Sequence, residues 1–203
     1  PGELTSPYAA IAEEMMTSYY GTGYKNGEDR IAQAANILHG VLKVAYEKDL
    51  NIDGLREQPG SFLISEMVGY VEAAAALARK ANRLAKEGRP EAAKFELASR
   101  IFSQEVASKV ASLAPQVLVG LGLVDNEAFE QLPFYKDLAN ANVPSKEKLT
   151  DQYRLAFDIF GVEEYLSGWR KRPEDKRPKL AEWIVAIAKE RGIEIYYCRS
   201  RSP

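Results

Sequence analysis

Residues 61–114 read SFLISEMVGYVEAAAALARKANRLAKEGRPEAAKFELASRIFSQEVASKVASLA, and they decide the fold. Leu63, Met67, Tyr70, Ala74, Leu77, Ala81 and Leu84 recur three or four residues apart. That spacing puts them on one face of a helix running from near Ser61 to Lys86. Gly88-Arg89-Pro90 breaks the pattern, and the proline can open the next helix. A second stripe follows through Phe95, Ala98, Phe102, Val106 and Val110. Both stretches are rich in alanine, the best helix former. A short break between long helices makes them antiparallel neighbours. The expected class is therefore all-α, built on an antiparallel helix bundle.

N-terminal to this pair, Ser6-Pro7 supplies a hydroxyl cap and a proline for the first turn. Tyr8, Ile11, Met15 and Tyr19 follow at helical spacing, and Gly21 and Gly23 end that helix. The next helix is expected over 28–47, with Ile31, Ala34, Ala35, Leu38, Leu42 and Ala45 as its stripe. Asn51-Ile52-Asp53-Gly54 reads as a turn. Beyond Pro115 the pattern weakens. Val117 to Val124 is apolar and punctuated by Gly120 and Gly122, which suits a buried loop or an extended segment. Further helices are expected over 145–160 and 178–191, with a short edge strand at 193–197. The division expected is a bundle over 1–143 and a helical extension over 144–203 packed on it.

Composition limits the function. The chain has 203 residues, 46% hydrophobic and 28% charged, which suits a packed globular core. A net charge of -2 gives no bulk attraction to nucleic acid or an anionic membrane. Cys198 is the single cysteine, so no intramolecular disulfide forms, consistent with a cytoplasmic setting. No apolar run approaches membrane length, and no signal peptide is expected at Pro1-Gly2-Glu3. The missing initial methionine suggests a fragment or processed product.

Metal chemistry lacks ligands. A di-metal bundle needs paired Glu-x-x-His motifs, but the one histidine, His39, has Asn36 three residues earlier. His39 reads as a partly buried structural residue. One His and one Cys do not make a zinc site. Gly120-Leu121-Gly122 lacks the third glycine of a dinucleotide loop. Glu13-Glu14 and Glu163-Glu164 are adjacent pairs that diverge by about 100° on a helix, so neither is a ready acid–base dyad. Arg170, Lys171, Arg172, Lys176, Arg177 and Lys179 form a basic stretch that reads as solvated linker, since no stacking aromatic is interleaved before Trp183.

From Gly27 to about Asp137 the order of features resembles the C-terminal four-helix domain of acyl-CoA dehydrogenases. Asp29-Arg30 stands where that family opens a helix with Glu-Arg or a similar pair. Arg56-Glu57-Gln58-Pro59-Gly60 stands at its arginine-bearing turn. Gln116-Val117-Leu118-Val119-Gly120-Leu121-Gly122 stands at its Gln-x-x-Gly-Gly-x-Gly segment. Phe134-Tyr135-Lys136-Asp137-Leu138 stands at its Arg-Asp-Ala run. The resemblance spans a little over half the chain. It implies FAD as cofactor, contacted by Arg56, Gln116, Gly120 and Gly122. It also implies an acyl-CoA substrate, and a second copy or a partner subunit completing the site. Asp29 would be the catalytic base, as in members that carry the base in this helix. The sequence departs from the family at Pro59, where a phenylalanine is usual, and at Val119, where a glycine is usual. The region around Ser145 has no Glu-Gly-Thr. The family's other two domains are also expected to be absent from this chain. The chain alone is therefore expected to be inactive, and the alternative is a non-catalytic bundle serving as a protein-binding or assembly module.

Overall fold

The structure, a computed structural model, describes residues 6–22, 25–48, 59–143, 150–152, 154 and 155, with isolated positions 182, 186 and 189. Every regular element among the described residues is helical. The chain divides into two compact units, Pro1–Leu155 and Ala156–Pro203. In the second unit, Glu182, Ala186 and Lys189 are helical and exposed. Outside the described residues lie Arg56, the 51–54 turn, the 193–197 strand, the basic stretch and most of the expected helices over 145–160 and 178–191. The expectation that 144–203 packs on the bundle also falls mostly on such residues.

Six helices are described in the first unit: α1 (Pro7–Gly21), α2 (Glu28–Glu47), α3 (Pro59–Lys86), α4 (Ala92–Leu118), α5 (Asn126–Glu130) and α6 (Tyr135–Ala141). The start of α1 follows its cap. Ser6 Oγ accepts the Tyr8 N–H at 3.2 Å, and Pro7 takes a position whose N–H would lack a helical partner anyway. Helix α2 is the centre of the bundle. It packs on α1, α3, α4 and α6, and Ile31, Ala34, Ala35, Ile37, Leu38 and Val41 are all fully buried. Each large aliphatic among them contributes about 1.5–3 kcal/mol by leaving water. The alanines let the neighbouring helices approach.

Helices α3 and α4 are antiparallel. Lys109 pairs with Glu66 at 3.2 Å, while Lys80 lies over the Phe95 ring at 4.1 Å, so rising numbers on one helix meet falling numbers on the other. Met67, Val71, Ala74, Ala75 and Ala78 of α3 face Val106, Val110, Ala114 and Val117 of α4 within one core. Helix α3 also corrects the reading of apolar length. Gly60–Lys86 contains an 18-residue window of mean hydropathy 1.3, long and apolar enough by length and composition to cross a membrane. One such helix is weak evidence, because a core-forming helix passes the same test.

The end of α4 departs from expectation. The helix continues through Pro115 to Leu118, with no buried loop or extended segment over 117–118. Proline removes one backbone donor, but Val117 and Leu118 extend the apolar stripe and are fully buried. Their burial offsets the lost hydrogen bond. The helix then closes in a Schellman arrangement around Gly122, whose φ is 69°. Leu123 N–H donates to Leu118 O at 2.8 Å, and Gly122 N–H donates to Val119 O at 2.9 Å. The proline of the α3–α4 turn does not open α4 either; Glu91 is the N-cap and Pro90 precedes it. Helices α5 and α6 have no counterpart in the sequence reading. Leu138 and Ala141 of α6, with Phe134 before it, complete the core against α2 and α4.

Candidate functional site

The α1–α2 turn brings polar groups into the bundle. Gly27 caps α2 with a φ of 83°, in the left-handed region. A Cβ there would overlap Ser103 Oγ and stand 2.8 Å from Ser103 Cβ and 3.2 Å from Arg100 Cα. Glycine is therefore required twice, by conformation and by the closeness of α2 to α4. The next residue, Glu28, is 0% exposed. Its Oε2 accepts the Asn26 backbone N–H at 2.7 Å. Its Oε1 accepts from Asn82 Nδ2 at 3.0 Å and from Ser18 Oγ at 3.5 Å. Asn82 Oδ1 accepts from Asn26 Nδ2 at 2.7 Å, and Ser99 Oγ donates to Asn26 O at 2.7 Å. A buried carboxylate is costly unless donors surround it, and here donors come from α1, α3 and the turn itself. The position of Glu28 in the first turn of α2 also favours a negative charge. The network fixes residues 26–28 to three helices.

Around this turn lies a cavity of about 430 Å³. Tyr19 comes from α1, Lys25 and Gly27 from the turn, and Asp29 and Arg30 from α2. Arg100, Ser103 and Gln104 come from α4, and Asp151 and Arg154 from the 150–155 stretch. Four of the charged groups, Lys25, Arg30, Arg100 and Asp151, are braced. Arg100 forms a fork with Asp151, Nε to Oδ2 at 2.7 Å and Nη2 to Oδ1 at 3.0 Å. The Asp151 side chain is only 6% exposed, so this pair is shielded and geometrically specific. Arg30 Nη1 donates to Asn140 O at 3.0 Å at the end of α6, where a cation meets the helix's carbonyl end. Lys25 Nζ donates to Tyr19 O at 2.7 Å and sits 3.6 Å above the Tyr19 ring. Ser103 Oγ donates to Arg100 O at 2.9 Å. No three His, Cys, Asp or Glu side chains converge as a metal site among the described residues.

Away from this cavity, the carboxyls of Asp137 and Glu14 are among the groups shifted from their ordinary values. Burial raises the Asp137 carboxyl above its ordinary value. The Arg79 fork lowers that of Glu14, with Nε and Nη2 donating at 2.8 and 2.6 Å. His39 is half-buried, and its Nδ1 finds no hydrogen-bond partner among the described residues.

The site residues read from the sequence fall in different places. Asp29 lines the cavity. Gln116 is exposed on the last turns of α4, where its Nε2 donates to Ser112 O at 2.8 Å. Gly120 and Gly122 form the turn after α4. A Cβ on Gly120 would collide with Gln116 O. The span of α4 between Ser103 and Gln116 covers about 20 Å at the helical rise. Asp29 and the glutamine–glycine segment thus stand well apart along the length of α4 within one chain. Sequence reading did not find Arg100, Asp151, Arg154, Glu28 or Asn82. Arg100 and Asp151 are separated by 51 positions, and only the fold brings them together.

Comparison with protein-family models, curated proteins and solved structures finds no match for the chain.

Proposed function

We propose that this chain is a non-catalytic helical binding module whose small-molecule site is the cavity beside the α1–α2 turn. The observation that carries the reading is the convergence of braced polar and charged side chains on a space of about 430 Å³. That volume lies in the range of small-ligand sites, where a few fixed polar groups set orientation. Residues from five stretches of chain supply the lining. The Glu28 network and the Arg100–Asp151 fork hold it in shape before any ligand arrives, which lowers the entropy lost on binding.

The test is a thermal-shift screen of small metabolites against the full chain, repeated with Gln104→Trp. The indole would fill the cavity from a half-buried position on α4. Hits that shift the melting temperature of the native chain and lose the shift in the variant support the reading. Hits that act equally on both, or no hits at all, refute it.

One observation favours a second reading, a subunit of an acyl-CoA dehydrogenase-like flavoenzyme: Asp29, the residue assigned as its base, lines this cavity next to Arg30. In that reading a second copy or a partner subunit supplies the rest of the FAD and acyl-CoA sites. Arg56, Gln116, Gly120 and Gly122 would then contact the flavin. Bound-flavin bands in the visible spectrum after adding FAD, weakened by Arg56→Ala, would favour this second reading. A colourless protein, with FAD spectrally unchanged, would count against it.

A further inference from the structure

The charge of the cavity names its ligand class. Lys25, Arg30, Arg100 and Arg154 line it against Asp29 and Asp151. Four cations against two carboxylates leave an excess of two positive charges, on a chain whose overall net charge is -2. Positive charge is therefore concentrated at one cavity of a slightly acidic protein. A lining with net positive charge attracts an anionic ligand.

The braces show which cations face a ligand. Arg100 commits Nε and Nη2 to Asp151, and its Nη1 lies 3.4 Å from Lys25 O. It acts as a fixed wall. Among the described residues, Arg30 holds Asn140 O and Gln33 Oε1 through Nη1 alone. A guanidinium carries five N–H donors in a rigid fork, so Arg30 is anchored by one arm and keeps others to give. Arg154 enters from the 150–155 stretch. A planar fork suits the paired oxygens of a phosphate group. The space exceeds what a bare phosphate needs, so part of the ligand beyond its anionic end also fits.

We infer that the cavity binds a phosphate-bearing small molecule, gripped by Arg30 and Arg154 with Arg100 as a fixed positive wall. This rests on the cavity being the binding site. Asp29 then opposes the ligand, so its charge weakens binding and does no chemistry.

The experiment is calorimetric titration of the full chain with pyrophosphate, inorganic phosphate and adenosine monophosphate at low salt. Pyrophosphate should bind, weakening several-fold as salt rises. Arg30→Ala with Arg154→Ala should weaken it at least ~10-fold, the size expected for losing charge-assisted hydrogen bonds, while the far-ultraviolet circular dichroism stays unchanged. Asp29→Asn should strengthen it by roughly 3-fold, as removal of a nearby like charge does. Tighter binding of adenosine monophosphate than of phosphate identifies an organic phosphate; equal binding identifies the free ion. Both outcomes support the inference. Pyrophosphate that fails to bind, or binds equally to the double-arginine variant, overturns it. If a neutral or cationic compound still binds in a Gln104→Trp-sensitive manner, the cavity stands as the site and only the ligand class is wrong. A single-stranded oligonucleotide that binds tighter than any of the three, dependent on Arg30, would replace the small molecule with nucleic acid.

Discussion

Replacing Gly27 with alanine tests how closely α2 is seated on α4. Two costs add. The φ of 83° puts an L-residue in the left-handed region, worth about 1 kcal/mol. The new Cβ would stand 2.8 Å from Ser103 Cβ and would overlap Ser103 Oγ, whereas carbon atoms rest at about 3.5–4.0 Å. Helix α2 must shift away from α4, an overpacking change of about 1–3 kcal/mol. The reduced freedom of the unfolded chain returns about 0.5 kcal/mol. Gly27→Ala should therefore lower stability by about 1.5–3.5 kcal/mol, read from urea unfolding followed by circular dichroism. Ser103→Gly removes both Ser103 contacts, after which Arg100 Cα, at 3.2 Å, is the nearest neighbour of the new Cβ. Alone it costs about 1 kcal/mol as a helix glycine. Combined with Gly27→Ala it should recover about 1–2 kcal/mol of coupling. A Gly27→Ala cost under about 0.5 kcal/mol, or a double-mutant cycle with no coupling, would refute the packing argument.

Asn82→Ala removes a donor from buried Glu28 and the acceptor for Asn26; it should cost about 2–4 kcal/mol in urea unfolding. Asp137→Asn should stabilise the chain slightly at neutral pH. Burial raises this carboxyl, so its charged form is penalised above the folded value. The gain over the native chain should vanish as pH falls below 3.8, the ordinary value; melting temperatures of both proteins across pH check it. Glu14→Gln should show the opposite sign. The Arg79 fork lowers the Glu14 carboxyl, so its contribution is present above 4.5 and lost as pH falls through the folded value. Both side chains are about half exposed, so the loss should be about 0.5 kcal/mol, seen as a small melting-temperature difference at neutral pH only.

The main helices were legible because their signals are local. Ser6-Pro7 starts α1 by chemistry within two residues. The stripe from Ile31 to Ala45 gives α2 its bounds, and the alanine-rich pair gives α3 and α4. Pro115 misled because a proline reads as a break, whereas two buried residues beyond it keep the helix going. The five and seven residues of α5 and α6 are too few to show periodicity. The cavity was less legible. Asp29 and Arg30 drew notice as the opening pair of a helix. Glu28 looks like an ordinary first-turn acid, and nothing local says that it is buried. Its donors stand 10 and 54 positions away, so their convergence is a product of tertiary packing. Gly122 shows the converse. A glycine read as a cofactor contact has a sufficient structural reason in closing α4.

The central claim is that the cavity beside the α1–α2 turn is the binding site. It is tested most directly by a crystal structure of the full chain grown with pyrophosphate. Pyrophosphate density is expected between Arg30 and Arg154, with the Arg100–Asp151 fork intact. Density elsewhere on the chain, with the cavity holding only water, would contradict it.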